Sequence, residues 1–125
     1  VDVYFAFSDG CGEYRRRGGQ PSGDAQLYYI RVVLIIDAQS HARLCEGLFH
    51  LKEEFGLPAE REIRWNWICR IHGFHVWGYK IPLDKPFSFL AHSTYDDLVL
   101  FVDRALGLLG RVPYTRVLAT VTPTP

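Results

Sequence analysis

The chain has 125 residues, 48% of them hydrophobic and 22% charged, with 14 Lys plus Arg against 14 Asp plus Glu. This is the composition of a globular chain long enough for a core of its own, and it argues against a disordered chain. Zero net charge excludes a global attraction to nucleic acid or anionic lipid, and no apolar run approaches the roughly 20 residues that span a bilayer.

Residues 3–8 read as a strand rich in aromatic and β-branched residues. Asp2 and the polar run 8–12 interrupt it, so no signal-peptide pattern is visible. The sequence contains no methionine, opens in a strand and stops just after another, and so reads as a fragment with an end missing. The connection "RRRGGQPSGDAQ" holds three glycines and one proline and reads as a long hairpin loop. Residues 28–36, "YYIRVVLII", form the strongest strand, apolar on both faces and expected to be central and covered on both sides.

Residues 38–55 carry Leu44, Cys45, Leu48, Phe49, Leu51 and Phe55 mostly along one stripe and predict an amphipathic helix. Asp37 or Ser40 caps its start, and Gly56 with Pro58 ends it. "EIRWNW", 62–67, alternates like a short strand, and 68–92 is poorly patterned and reads as irregular structure or a short hairpin. A second helix opens at Ser93 or Thr94, each followed three residues later by an aspartate, and Gly110 stops it. Residues 115–122, "TRVLATVT", complete the order as a last strand. No internal repeat or second domain is evident, and the pattern predicts one α/β domain over 1–125, a mixed β-sheet with packed helices.

The candidate chemistry begins at "FSDGCGEY". In an extended strand Asp9 continues the row of Phe5 and Phe7 to the strand tip. A lone carboxylate in such a row is neutralised or driven into solvent, unless a divalent metal keeps it ionised and ordered. The plainer reading is an aspartate that opens a turn, with Gly10 and Gly12 as the turn glycines. Glu62 and Arg64 share one side of an extended "REIRW". A carboxylate beside a guanidinium suits a metal-plus-phosphate site, and equally an ordinary surface ion pair.

These segments, with the doubly apolar strand, the two amphipathic helices and "TRVLATV", resemble the domain of unknown function 3800 family over nearly the whole chain. That family is ribonuclease-H-like in fold. It opens on an Asp-Glu-Ser-Gly or Asp-Glu-Cys-Gly motif, followed later by a Glu shortly before a Lys. Asp9, Cys11 and Gly12 match the first motif. Glu62 matches the second, with Arg64 at the lysine. Gly10 departs from the family's Glu, and Glu13 lies near enough in sequence to substitute. A further helix and acidic residue of the family fall beyond Pro125.

The resemblance implies a metal-dependent nuclease hydrolysing phosphodiester bonds. Asp9, Glu62 and Glu13 would hold one or two Mg2+ or Mn2+ ions, with Arg64 at the phosphate. The alternative it leaves open is a catalytically degenerate module of the same fold that binds a protein or nucleic-acid partner.

Arg15, Arg16 and Arg17 form a local basic patch suited to a nucleic-acid backbone, or a solvated loop. Trp65, Trp67, Trp77 and Tyr79 could stack bases or simply fill a core. Cys69, His72 and His75 have zinc-like spacing but no fourth ligand nearby. Cys45 reads as a core residue, and three cysteines without a framework spacing read as reduced thiols in a cytoplasmic setting. The apolar central strand is compatible with a homodimer.

Overall fold

The computed structural model describes residues 3–11, 28–113 and 116–123. In chain order these form β1 (Tyr4–Cys11), β2 (Tyr28–Asp37), α1 (Ala38–Glu54), α2 (Trp65–Trp77), a 3-10 turn (Ser88–Leu90), α3 (Tyr95–Arg111) and β3 (Arg116–Pro123). The chain divides into two compact units, Val1–Ala42 with Val112–Pro125, and Arg43–Arg111.

The first unit is a three-stranded sheet of order β1-β2-β3. β2 pairs antiparallel with both neighbours, so the expected mixed sheet is an all-antiparallel one. The register sets Phe5 opposite Ile36, Phe7 opposite Leu34 and Asp9 opposite Val32, while Val117 and Ala119 face Leu34 and Val32 from the other side. Directly opposed residues share a face, so one face carries Phe5, Phe7, Leu34, Ile36, Val117 and Val121 with Asp9 among them. The other face is polar in large part. On it the Arg31 guanidinium donates to Ser8 Oγ (2.7 Å) and to Tyr29 Oη (3.3 Å).

β2 is central, as its composition predicts, but it is not covered along its length. Ile36 is fully buried, whereas Ile30 and Val32 are exposed, as is every residue of β3. Composition reports what a strand tolerates on its faces; coverage depends on what packs there. What does pack is the first turn of α1. His41 stacks on Phe7 (5.3 Å between centroids) and meets Phe5 edge-on (5.1 Å). Asp37 is the cap, its Oδ2 accepting from the Ser40 amide at 3.4 Å. Ser40 is itself buried, and its hydroxyl donates to the Pro113 carbonyl (2.7 Å), tying the helix start to the segment that leads into β3.

The second unit holds a contiguous core in which Leu51, Ile68, Ile71, Phe87, Leu90 and Leu98 are buried. Phe55 meets Phe101 edge-to-face at 5.7 Å, and Trp67 meets Phe89 at 6.1 Å. α1 ends at a left-handed glycine, Gly56 (φ 67°), which lets the Leu57 amide return to the Lys52 carbonyl at 2.8 Å. Lys52 then holds the following loop through the carbonyls of Ala59 and Arg61. α3 starts as predicted, with Thr94 Oγ1 accepting from the Asp97 amide (3.1 Å) and Asp96 and Asp97 in the positively polarised first turn. It runs one residue past Gly110.

Three expectations in this unit are corrected. The segment 62–67 is not a strand: Arg64 is an extended cap residue and the helix begins at Trp65. The region expected to be irregular contains α2, whose Trp67, Ile68, Ile71 and Phe74 meet the core at helical spacing. Gly78 (φ 68°) closes it, the Tyr79 amide returning to the Phe74 carbonyl. Cys45 is exposed rather than a core residue, because α1 turns Leu51 inward and leaves Cys45 and Phe49 outside that stripe. Among the described residues no helix is long and apolar enough to cross a membrane.

Candidate functional site

Asp9 sits inside β1, not at its tip. The strand continues through Gly10 to Cys11, both paired with β2, so the expected sharp turn at Gly10 is absent. Asp9 is the single charged residue on the apolar face of the sheet among the described positions. It is exposed, and its Oδ1 accepts the Gly10 amide at 2.8 Å. Solvent therefore reaches this carboxylate, and the burial cost that the sequence pattern raised is avoided by exposure.

Gly10 has a local reason of its own. A β-carbon at this position would run into the Tyr29 phenol, lying 3.0 Å from Cζ and closer still to Oη. Tyr29 in turn is held by Arg31. We therefore expect Gly10→Ala to destabilise the protein by about 1 kcal/mol through displacement of that hydrogen-bonded phenol. In a Tyr29→Ala background the same change becomes neutral or stabilising, since glycine inside a strand is disfavoured by about 0.5–1 kcal/mol. A double-mutant cycle in urea measures the coupling.

Glu62 and Arg64 belong to the other unit. They do pair, Arg64 Nη2 lying 3.2 Å from Glu62 Oε2, with both side chains more than half exposed. The guanidinium also lies over the Trp67 ring at 5.1 Å. This is the geometry of the plainer reading: an exposed pair of this kind contributes about 0–1 kcal/mol. Glu13, Arg15, Arg16 and Arg17 lie outside the described residues.

No group of three or more His, Cys, Asp or Glu side chains among the described residues is placed to hold a metal ion. The zinc-like trio is spread along α2, and His72 is stacked on Tyr95 at 4.0 Å. What the described part of the metal reading provides is oxygen. Asp9 offers carboxylate oxygen, the donor type that hard cations such as Mg2+ and Mn2+ take.

The second unit has its own concavities. One, about 610 Å³, has His50, Glu54, Asp103, Arg104 and Arg111 in its lining. Its charges are mixed, and Arg104 is already bound to Glu54 at 2.6 Å while lying over Phe55. A smaller and more apolar pocket, about 360 Å³, lies beside Gly73, with Trp77, Tyr79 and Phe87 in its walls. The sequence marked Trp77 and Tyr79 as aromatics able to stack. The pocket between them was hidden because it requires α2, and the signal that would have found it is a glycine within the apolar period of that helix.

None of the protein families, curated proteins or solved structures compared with this chain matches it. The fold and site thus define a class and no more: an α/β chain whose described residues form a three-stranded antiparallel sheet and three α-helices, with a carboxylate on the apolar face of β1.

Proposed function

We propose that the chain takes part in metal-dependent hydrolysis of phosphodiester bonds, as a ribonuclease-H-like nuclease in which Asp9 anchors the cation. The observation that carries this reading is Asp9 itself, an exposed carboxylate within an otherwise apolar sheet face, on the first strand. A strand that only needed solubility would carry its charge on the opposite face, where Ser8 and Arg31 already lie. The match of Asp9, Cys11, Gly12, Glu62 and Arg64 to the motifs of the domain of unknown function 3800 family supports the same reading.

A bound Mg2+ or Mn2+ lowers the pKa of a coordinated water and offsets charge on the phosphate. Asp9 fixes the ion through carboxylate oxygen. Glu62 and Arg64 enter this reading through the motif match alone, the one as a second acid and the other, a planar fork of donors, as a group suited to phosphate oxygens. By sequence, Glu13 would stand in for the acid that the resemblance expects at position 10. With few protein ligands the affinity for free metal would be weak, and the ion would depend on substrate phosphates as well as on Asp9.

The alternative, a degenerate module that binds without cleaving, has one specific observation in its favour. Position 10, where the resemblance expects Glu, is glycine, and a side chain there meets Tyr29. The deciding experiment incubates the chain with end-labelled single- and double-stranded DNA and RNA in Mg2+ or Mn2+. Cleavage that stops on adding EDTA is the expected result; binding without cleavage in either metal establishes the alternative.

A further inference from the structure

Large aromatic side chains normally lose their exposure on folding, because each can bury 150–250 Å² of surface. Two neighbours here do not. Trp77, the last residue of α2, is 73% exposed, and Tyr79, just after the left-handed cap Gly78, is 68% exposed. They flank the open pocket of about 360 Å³ beside Gly73. Phe87, buried in the core beneath, and Phe74 complete an aromatic surface. A β-carbon at Gly73 would meet nothing within 4 Å, so the absent side chain leaves the space open.

Among the described residues, the charges in the lining are Arg70 and Lys85. Arg70 places its guanidinium 5.8 Å from the Phe87 centroid. A flat aromatic slot bordered by two cations and by no carboxylate matches a ligand with a planar ring and a phosphate attached. Aromatic grooves also receive proline-rich peptides, but such ligands do not call for an exclusively cationic border.

We infer that the Gly73 pocket seats a base of single-stranded nucleic acid, stacked against Trp77 and Tyr79, with Arg70 and Lys85 at the adjoining phosphates. The choice of ligand rests on the phosphodiester reading above; the pocket's ability to bind does not. Duplexes keep their bases stacked on each other, so the pocket selects single strands.

The test is fluorescence anisotropy with labelled ten-residue oligo-dT and oligo-rU, in EDTA so that no cleavage can occur. The wild type is expected to bind at least one of them and to prefer it to a duplex of the same length. Trp77→Ala weakens binding about tenfold, as loss of one stacking contact does. Gly73→Leu fills the pocket and abolishes the preference for single strands, while raising helix propensity, so its loss of binding is not a loss of fold.

Arg70→Ala and Lys85→Ala each reduce the slope of log K against log salt by about 0.7. Three results overturn the inference: no binding of either oligomer, wild-type binding by Gly73→Leu, or displacement of the oligomer from the pocket by a proline-rich peptide. Cleavage in Mg2+ that survives Gly73→Leu unchanged would leave the nuclease reading standing and this pocket refuted. Strong EDTA-resistant binding without cleavage in metal would do the reverse.

Discussion

Asp9→Asn should abolish metal-dependent cleavage, by at least about a hundredfold, while leaving the fold as it is. The magnitude follows from the several kcal/mol that a catalytic cation contributes to transition-state charge stabilisation, at about 1.4 kcal/mol per tenfold in rate. Asparagine is nearly the same size, and its amide oxygen can still accept from the Gly10 amide as Oδ1 does. What it loses is the negative charge that holds the ion. Because Asp9 is exposed, the change in stability should stay within about 0.5 kcal/mol. Single-turnover cleavage and urea unfolding on the same preparation separate the two effects. Glu60→Gln, a change at another exposed acid, should keep full activity. Full activity in Asp9→Asn would remove this carboxylate from the reaction.

The largest expected effect on stability lies in the second unit. Ile71 is fully buried on α2, inside the cluster with Ile68, Leu90 and Leu98. Ile71→Ala removes its methyl groups and leaves a cavity that a close-packed core fills only in part, at a cost of about 2–5 kcal/mol. Against a total of about 5–15 kcal/mol for an ordinary domain, that is a large share. The urea midpoint should fall accordingly. Leu83→Ala is the contrast: Leu83 is 84% exposed, and its truncation should change stability by no more than about 0.5 kcal/mol. Equal effects of the two would contradict the core described here.

The sequence was legible where a local rule decides structure. α1 and α3 follow from their apolar stripes, the Asp37 and Thr94 caps and the glycine that ends α1. β1, β2 and β3 follow from aromatic and β-branched runs. α2 was missed because Gly73 and three potential metal ligands interrupt its composition, although Trp67, Ile71 and Phe74 keep the helical interval. "EIRW" alternates over too few residues to distinguish a strand from a helix entry, and the ion pair it suggested forms in an extended cap. The antiparallel pairing of β3 with β2 joins segments far apart in the chain, which no local pattern records. The same holds for Gly10. Its glycine was read as a turn, but the reason lies in Tyr29 on the neighbouring strand. Of the candidate site, the face and row of Asp9 were legible in the alternation of β1, while its exposure was not.

Where a divalent cation binds decides whether Asp9 is a metal ligand. In a heteronuclear NMR spectrum of the 15N-labelled protein, substoichiometric Mn2+ broadens amides close to the ion. The Asp9 and Gly10 signals are expected to disappear among the first, and Asp9→Asn to restore them. Broadening that spares Asp9 and Gly10, or that persists unchanged in the variant, would contradict that role.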